Sequence, residues 1–266
     1  MRNLLYPAGV IGCLLISAGA HAASVADGLK ALDDKKFEQA AQAFSQSFND
    51  GDADGGFYLG RMLELGVGSQ PNPAAALVMY KAAAQQKSAK ALNRLGLMHY
   101  RGELGVLQDL AQARTYICEA ADLQDKDGSF NCAEMYAAGK GGKQDIAVAV
   151  KHYRSAAKQG HVGAQNTLGF LYKAGKGVKK SAERAFAYFE QTGSRGNPIG
   201  LFEMGRMYEL GRPKGKDLSK AYLYFNLANA RRHPNAASAL QRTAAQLKPQ
   251  QLLKAQLDAR AWKSKR

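Results

Sequence analysis

The chain has 266 residues, a formal net charge of +15 and three cysteines. An ordinary globular chain of that length divides into one large or two small domains, but one motif recurs here about every 36 residues, and a stacked array grows by adding repeats instead of domains. Beyond residue 22 no segment is long and apolar enough to span a membrane as a helix.

Residues 1–22 stand apart from the rest. The stretch from Leu4 to Ala20 is apolar but too short and too poorly flanked for a stable membrane anchor, and Ala20-His21-Ala22 is a small-x-small cleavage site. This predicts a secretory signal peptide, with the mature chain from Ala23 delivered to the periplasm of a Gram-negative bacterium. A second reading uses Val10-Ile11-Gly12-Cys13, which loosely resembles a lipoprotein cleavage box and would leave Cys13 as a lipid-modified anchor. The apolar core ahead of Cys13 is very short for that purpose.

Ser24 to Asp50 reads as a degenerate first helix pair, with Leu29 and Leu32 facing Phe37, Ala41, Phe44 and Phe48. From Ala53 onward the pattern is regular. A first helix carries apolar residues at helical spacing, as in Leu95, Gly96, Met98 and His99, and closes at a recurring glycine: Gly66, Gly102, Gly139, Gly175 and Gly211. Glycine suits a helix end that needs a left-handed residue. A second helix carries Ala76, Ala113, Ala149, Ala185 and Ala221, and three and four residues later come Met79/Tyr80, Tyr116/Ile117, His152/Tyr153, Tyr188/Phe189 and Tyr224/Phe225. A small pair follows each, from Ala83-Ala84 to Ala228-Asn229. Small residues let helix backbones approach closely while rings fill the wedge between repeats, so every tyrosine of the series is predicted to be core.

Residues in the order A…LG..Y..G.GV……A..YY..AA resemble the Sel-one-like repeat family, a helical relative of the tetratricopeptide repeat. The resemblance implies an all-α, right-handed solenoid of stacked antiparallel helix hairpins. The array is expected over 23–235, with repeats at about 53–88, 89–127, 128–161, 162–197 and 198–235. Residues 236–266 are expected to supply capping helices and a basic tail, Leu240, Leu247, Leu252, Leu257 and Trp262 covering the open end. Two repeats depart from the pattern: one has Cys132-Ala133 in place of Leu-Gly, and another has Arg212-Pro213-Lys214 in its turn.

Charge is strongly polarised. Ala23 to Ala133 holds 11 Lys+Arg and 14 Asp+Glu, whereas Glu134 to Arg266 holds 25 and 8. Much of the excess lies in the turns between paired helices: Lys140 and Lys143; Lys176, Lys179 and Lys180; Arg212, Lys214 and Lys216. Equivalent turns of a solenoid stack at about 10 Å, which predicts a basic ladder along one edge that attracts an anionic partner and weakens as salt rises. Solvation of exposed loops and complementation of helix C-termini are the plainer reading of the same lysines. Nucleic acid fits the charge but not the compartment. The Gly-Lys-Gly turns lack the spacing and the preceding strand of a phosphate loop.

Cys118 and Cys132 flank Asp125 at equal distance on the two arms of a predicted helix hairpin. In an oxidising compartment they read as a disulfide, with two buried thiols as the alternative. The histidines have no partner at metal-ligand spacing, and no nucleophile elbow or Ser-x-x-Lys motif is present, so no metal, cofactor or catalytic residue is assigned. Some cysteine-rich secreted members of the resembled family are described as penicillin-binding or as weak β-lactamases. The regular cysteine pair of those proteins is missing here, and no residue is carried over. The expected function is a non-enzymatic periplasmic adaptor for an acidic protein partner in envelope assembly or regulation. The alternative is direct binding of an anionic glycan or lipid, such as lipopolysaccharide, through the basic edge. No inner-face residue stands out in the sequence as polar against structural expectation.

Overall fold

The computed structural model describes residues 24–264, and these form helices and turns with no strand. The expected signal segment, its cleavage site and Cys13 lie outside the described residues. Helices α1 (Val25–Asp33) and α2 (Phe37–Asn49) make the first hairpin. Five regular hairpins follow: α3 (Ala53–Leu65) with α4 (Pro73–Gln85), α5 (Ala89–Arg101) with α6 (Leu110–Asp122), α7 (Lys126–Ala138) with α8 (Ile146–Lys158), α9 (Val162–Ala174) with α10 (Ala182–Ser194), and α11 (Pro198–Leu210) with α12 (Leu218–Ala230). Helices α13 (Ala236–Ala244) and α14 (Pro249–Ala261) close the stack, which is an all-α helical-repeat solenoid.

Local chemistry sets the helix bounds. Each helix from α3 to α12 starts on a side chain that accepts a hydrogen bond from its own first turn: Asp52, Asn72, Ser88, Asp109, Asp125, Asp145, His161, Ser181, Asn197 and Asp217. Such a cap satisfies one of the backbone donors that every helix start leaves free. The first helices end on the recurring glycines, whose φ values run from 67° at Gly139 to 77° at Gly175, a region that favours a residue without Cβ. The second helices end differently. The residue after the cap takes positive φ there: Gly160 and Gly196 after α8 and α10, but Lys87, Gln124 and Arg232 after α4, α6 and α12. In the two repeats that depart from the pattern, Gly141 and Gly142 both have positive φ and the Arg212–Pro213 peptide is cis.

The core follows the alternation of small and large. Ala76, Ala113, Ala149, Ala185 and Ala221 are fully buried, and four residues later Tyr80, Ile117, Tyr153, Phe189 and Phe225 are buried too. The glycine of the Leu-Gly pair makes room for the ring of its own repeat's second helix, since a Cβ at Gly169 would lie 2.6 Å from Phe189 and one at Gly205 would lie 2.7 Å from Phe225. Not every tyrosine of the series is core: Tyr116, Tyr188 and Tyr224 are only half-buried, because a residue three positions on from the buried alanine turns toward the boundary between repeats. In the first hairpin Leu29 and Phe37 remain exposed, and the close contact is made instead by Gly28 against Phe44. The C-terminal cap is also thinner than expected. Leu257 stays 53% exposed, while Leu240, Ala255 and Trp262 turn inward. Asn229 is exposed, and Leu227 is buried beside it.

Cys118 of α6 and Cys132 of α7 form a disulfide across one hairpin, with Cα atoms 5.0 Å apart. The bond closes a loop with a sequence separation of 14. In the chain-entropy picture a loop of this size stabilises the folded state by about 3 kcal/mol. Reduction and alkylation of both cysteines is therefore expected to lower the unfolding free energy by that amount, read as a lower urea midpoint. An unchanged midpoint would contradict it.

Candidate interaction surface

The first helices pack directly on one another, α3 on α5 and α5 on α7, and hold the second helices apart. This puts the first helices on the inner, tighter side of the curve. Five residues ahead of each closing glycine stand Arg61, Leu97, Glu134, Phe170 and Arg206, and one residue ahead stand Leu65, Arg101, Ala138, Ala174 and Leu210. Leu65 is 57% exposed, Phe170 41% and Leu210 62%. Exposed apolar side chains at a repeating inner position mark a contact surface more than they serve the core. Two clefts cross this face. One runs over α3, α5 and α7 between Phe57, Arg61, Arg94 and Lys126, and the next is bounded by Leu97, Tyr100, Arg101, Asn131 and Glu134.

A buried ionic network underlies the first cleft. Arg94 grips Glu64 with two donors, Nε lying 3.1 Å from Oε2, and reaches Glu103 at 2.9 Å. Arg101 bonds the same Glu103 at 3.1 Å, Arg61 approaches Glu64 at 3.0 Å, and the Tyr80 hydroxyl donates to Glu64. Burial by itself would raise the Glu64 carboxyl. The hydrogen bonds from Arg94 and Tyr80 and the charges of Arg94 and Arg61 outweigh it and hold Glu64 below the usual carboxylate range. Burial together with the bond to Glu64 pushes the Tyr80 phenol upward. A second network lies further along, where the buried Glu203 is met by Lys173 and, at 3.4 Å, by Arg206. Both hold their cations in fixed directions against carboxylates of the chain itself. The sequence offered one faint signal. Arg94 occupies the repeat position held by Tyr58, Asn131 and Thr167 elsewhere.

The lysines and arginines singled out in the turns occupy one edge. Three of the turns lean on the start of the preceding second helix: Gly68 lies against Phe37, Gly141 against Leu110 and Gly177 against Ile146. Consecutive turns therefore follow one another along the array. Lys143, Lys176, Lys179, Lys180, Arg212 and Lys216 are exposed there. Lys140 bends back to the Tyr100 hydroxyl, 4.7 Å above that ring, and Lys214 lies 5.6 Å from the Phe186 ring. Among the described residues none of these eight side chains enters an ion pair within 4.0 Å. No group of three or more His, Cys, Asp or Glu among the described residues is placed to hold a metal ion, and no described helix is long and apolar enough to cross a membrane.

Stacked helix hairpins with an accessible inner face define a repeat scaffold for protein interaction. The chain belongs to the Sel1 repeat family, which matches it over residues 55–88, 89–125, 127–161, 162–197 and 198–233. Proteins of this family are in general non-enzymatic interaction scaffolds. Among solved structures the chain is similar to a protective antigen of uropathogenic Escherichia coli with an SLR fold, at 26% identity and a TM-score of 0.74 over 85% of this chain. It spans about half of that protein, 48% of its length. It is also similar to a Sel1 repeat protein from Oxalobacter formigenes, at 27% identity and a TM-score of 0.73, covering 89% of this chain and 99% of that one. Among curated proteins none matches the sequence.

Proposed function

We propose that the protein is a periplasmic adaptor that holds an acidic protein partner and assists assembly or regulation of a cell-envelope system. The inner face supplies the grip, through Leu97, Phe170 and Leu210 beside the anchored Arg94 and Arg206. The basic edge supplies orientation and capture, through Lys143, Lys176, Lys179, Lys180, Arg212 and Lys216. The apolar segment ending in Ala20-His21-Ala22 supports export, and the Cys118–Cys132 disulfide suits an oxidising compartment. The observation that carries the reading is the juxtaposition of an exposed apolar inner face with an edge of cations that have no acidic partner of their own.

A photo-crosslinking residue placed at Phe170, on the inner face, is expected to capture a discrete acidic protein in intact cells. The same residue at Val78, exposed on α4, is not. Lys176→Glu, Lys179→Glu and Lys180→Glu together are expected to reduce capture at least about tenfold, through loss of steering and of complementary charge. Equal products from both positions, or none from either, would remove the adaptor reading.

A further inference from the structure

From α5 onward each regular repeat sends one aromatic side chain of its first helix toward its second helix, three residues ahead of the closing glycine: His99, Tyr136, Tyr172 and Tyr208. Each stacks on a ring of its own repeat's second helix, Tyr116, His152, Tyr188 and Tyr224, at centroid distances from 5.6 to 6.1 Å. Cations sit over three of these rings, Arg114 over Tyr136, Arg184 over Tyr172 and Lys220 over Tyr208. Ring stacking with a cation over one face is a packing device between helices and needs no ligand.

Tyr172 departs from this pattern. Its hydroxyl accepts a hydrogen bond from Arg154 of α8 at 2.9 Å and another from Arg184 of α10 at 3.2 Å. Guanidinium groups from two successive repeats thus converge on one oxygen between two second helices, on the outer face. Among the described residues neither arginine has a carboxylate within 4.0 Å. Glu183, next to Arg184 in sequence, instead accepts from the Ser181 hydroxyl at 2.9 Å. Two like charges held together on a neutral phenol repel each other, and no carboxylate among the described residues pairs with them there. The phenol accepts on both lone pairs, which leaves its own O–H free to donate. Burial acts to raise the Tyr172 phenol, but the two arginine bonds outweigh it and hold it below its ordinary value, which strengthens that O–H as a donor.

We propose that Arg154, Arg184 and the Tyr172 hydroxyl form a binding site for a phosphate-type oxyanion on the outer face. An oxyanion there receives one guanidinium fork from each side and the phenol proton from beneath, and it cancels the repulsion between the arginines. The position of Arg184 over the Tyr172 ring, 5.3 Å from its centroid, fixes one fork in advance. The site shares no residue with the inner face or the basic turns and stands independently of the adaptor reading. Its ligand is either a soluble phosphate compound or a phospholipid headgroup, which present the same chemistry.

The full chain is to be titrated with inorganic pyrophosphate while the Nε–H resonances of Arg154 and Arg184 are followed by NMR. In parallel it is to be sedimented with vesicles of equimolar phosphatidylglycerol and phosphatidylcholine. Saturable shifts at both arginines are expected in the parent chain, and pyrophosphate affinity read by isothermal titration calorimetry is expected to fall at least about tenfold with Arg154→Gln and Arg184→Gln together and roughly threefold with Tyr172→Phe. Both arginine side chains are exposed, so the double variant is expected to melt like the parent. Lys176→Gln, Lys179→Gln and Lys180→Gln should leave the shifts in place. Shifts without sedimentation assign the site to a soluble phosphate, and sedimentation lost in the arginine variant assigns it to a headgroup. Silent arginine resonances, or pyrophosphate affinity retained in the double variant, would overturn the proposal.

Discussion

Phe189→Ala is expected to lower the unfolding free energy by about 3–5 kcal/mol, the usual range for emptying a fully enclosed aromatic site. Phe189 has no exposed surface, presses on the backbone of Gly169 and meets Phe170 edge-on at 5.1 Å. Its helix α10 packs on both α9 and α11. In a solenoid the stability of a repeat depends on its own hairpin and on its two neighbours. The cavity therefore weakens the interior of one repeat and also its junction with the next. Phe170→Ala, which removes a ring of the same size from a partly exposed inner-face position, is expected to cost about 1 kcal/mol by comparison. Urea unfolding of the two variants side by side checks this. Equal costs would mean that the core lies elsewhere than the structure places it.

Arg94→Met is expected to cost about 1–3 kcal/mol at neutral pH, because it leaves the partly buried Glu64 carboxylate with only Arg61 and the Tyr80 hydroxyl as partners. The Glu64 side chain is 11% exposed and that of Arg94 14%, whereas Glu103 at 32% can turn to water. The pH dependence identifies the cause. In the parent chain burial would raise the Glu64 carboxyl, but its hydrogen bonds and the neighbouring cations lower it below 4.5. A carboxylate depressed on folding contributes stability that is present above its unfolded value and is lost as pH falls through the folded value. The parent is thus expected to lose stability below about pH 4.5. In the variant Glu64 has lost part of its compensation and is relieved by protonation, so the gap between the two proteins narrows in acid. A gap of constant size from neutral to acid pH would show that lost packing, not charge, explains the cost.

Much of the architecture was legible because it is local and repeated. The closing glycines mark left-handed helix ends by backbone sterics alone, and Ala76 and its equivalents are buried because only a small residue fits where two helices touch. Cys118 and Cys132 meet because a hairpin returns the chain to the same height. The turns that open each second helix were visible through their glycines. The reverse turns at Lys87, Gln124 and Arg232 were not, since nothing in those side chains announces a positive φ. The tyrosines three positions on from the buried alanines were assigned to the core because helical spacing tells which side a residue faces, but not how far the neighbouring repeat covers it.

The sequence by itself determined the helical hairpin, its period, the alternation that packs it and the uneven distribution of charge along the array. All of these follow from the conformational preferences and sizes of residues close together in the chain. The tertiary structure alone decided that Arg94 would bridge Glu64 and Glu103, that Glu203 would be enclosed between Lys173 and Arg206, and that Arg154 and Arg184 would meet at Tyr172. In each group one side chain comes from a neighbouring repeat: Glu64, Lys173 and Arg154. Their meeting depends on the rotation and rise between one hairpin and the next, which is set by the packing of whole faces and leaves no periodic trace in the residues themselves.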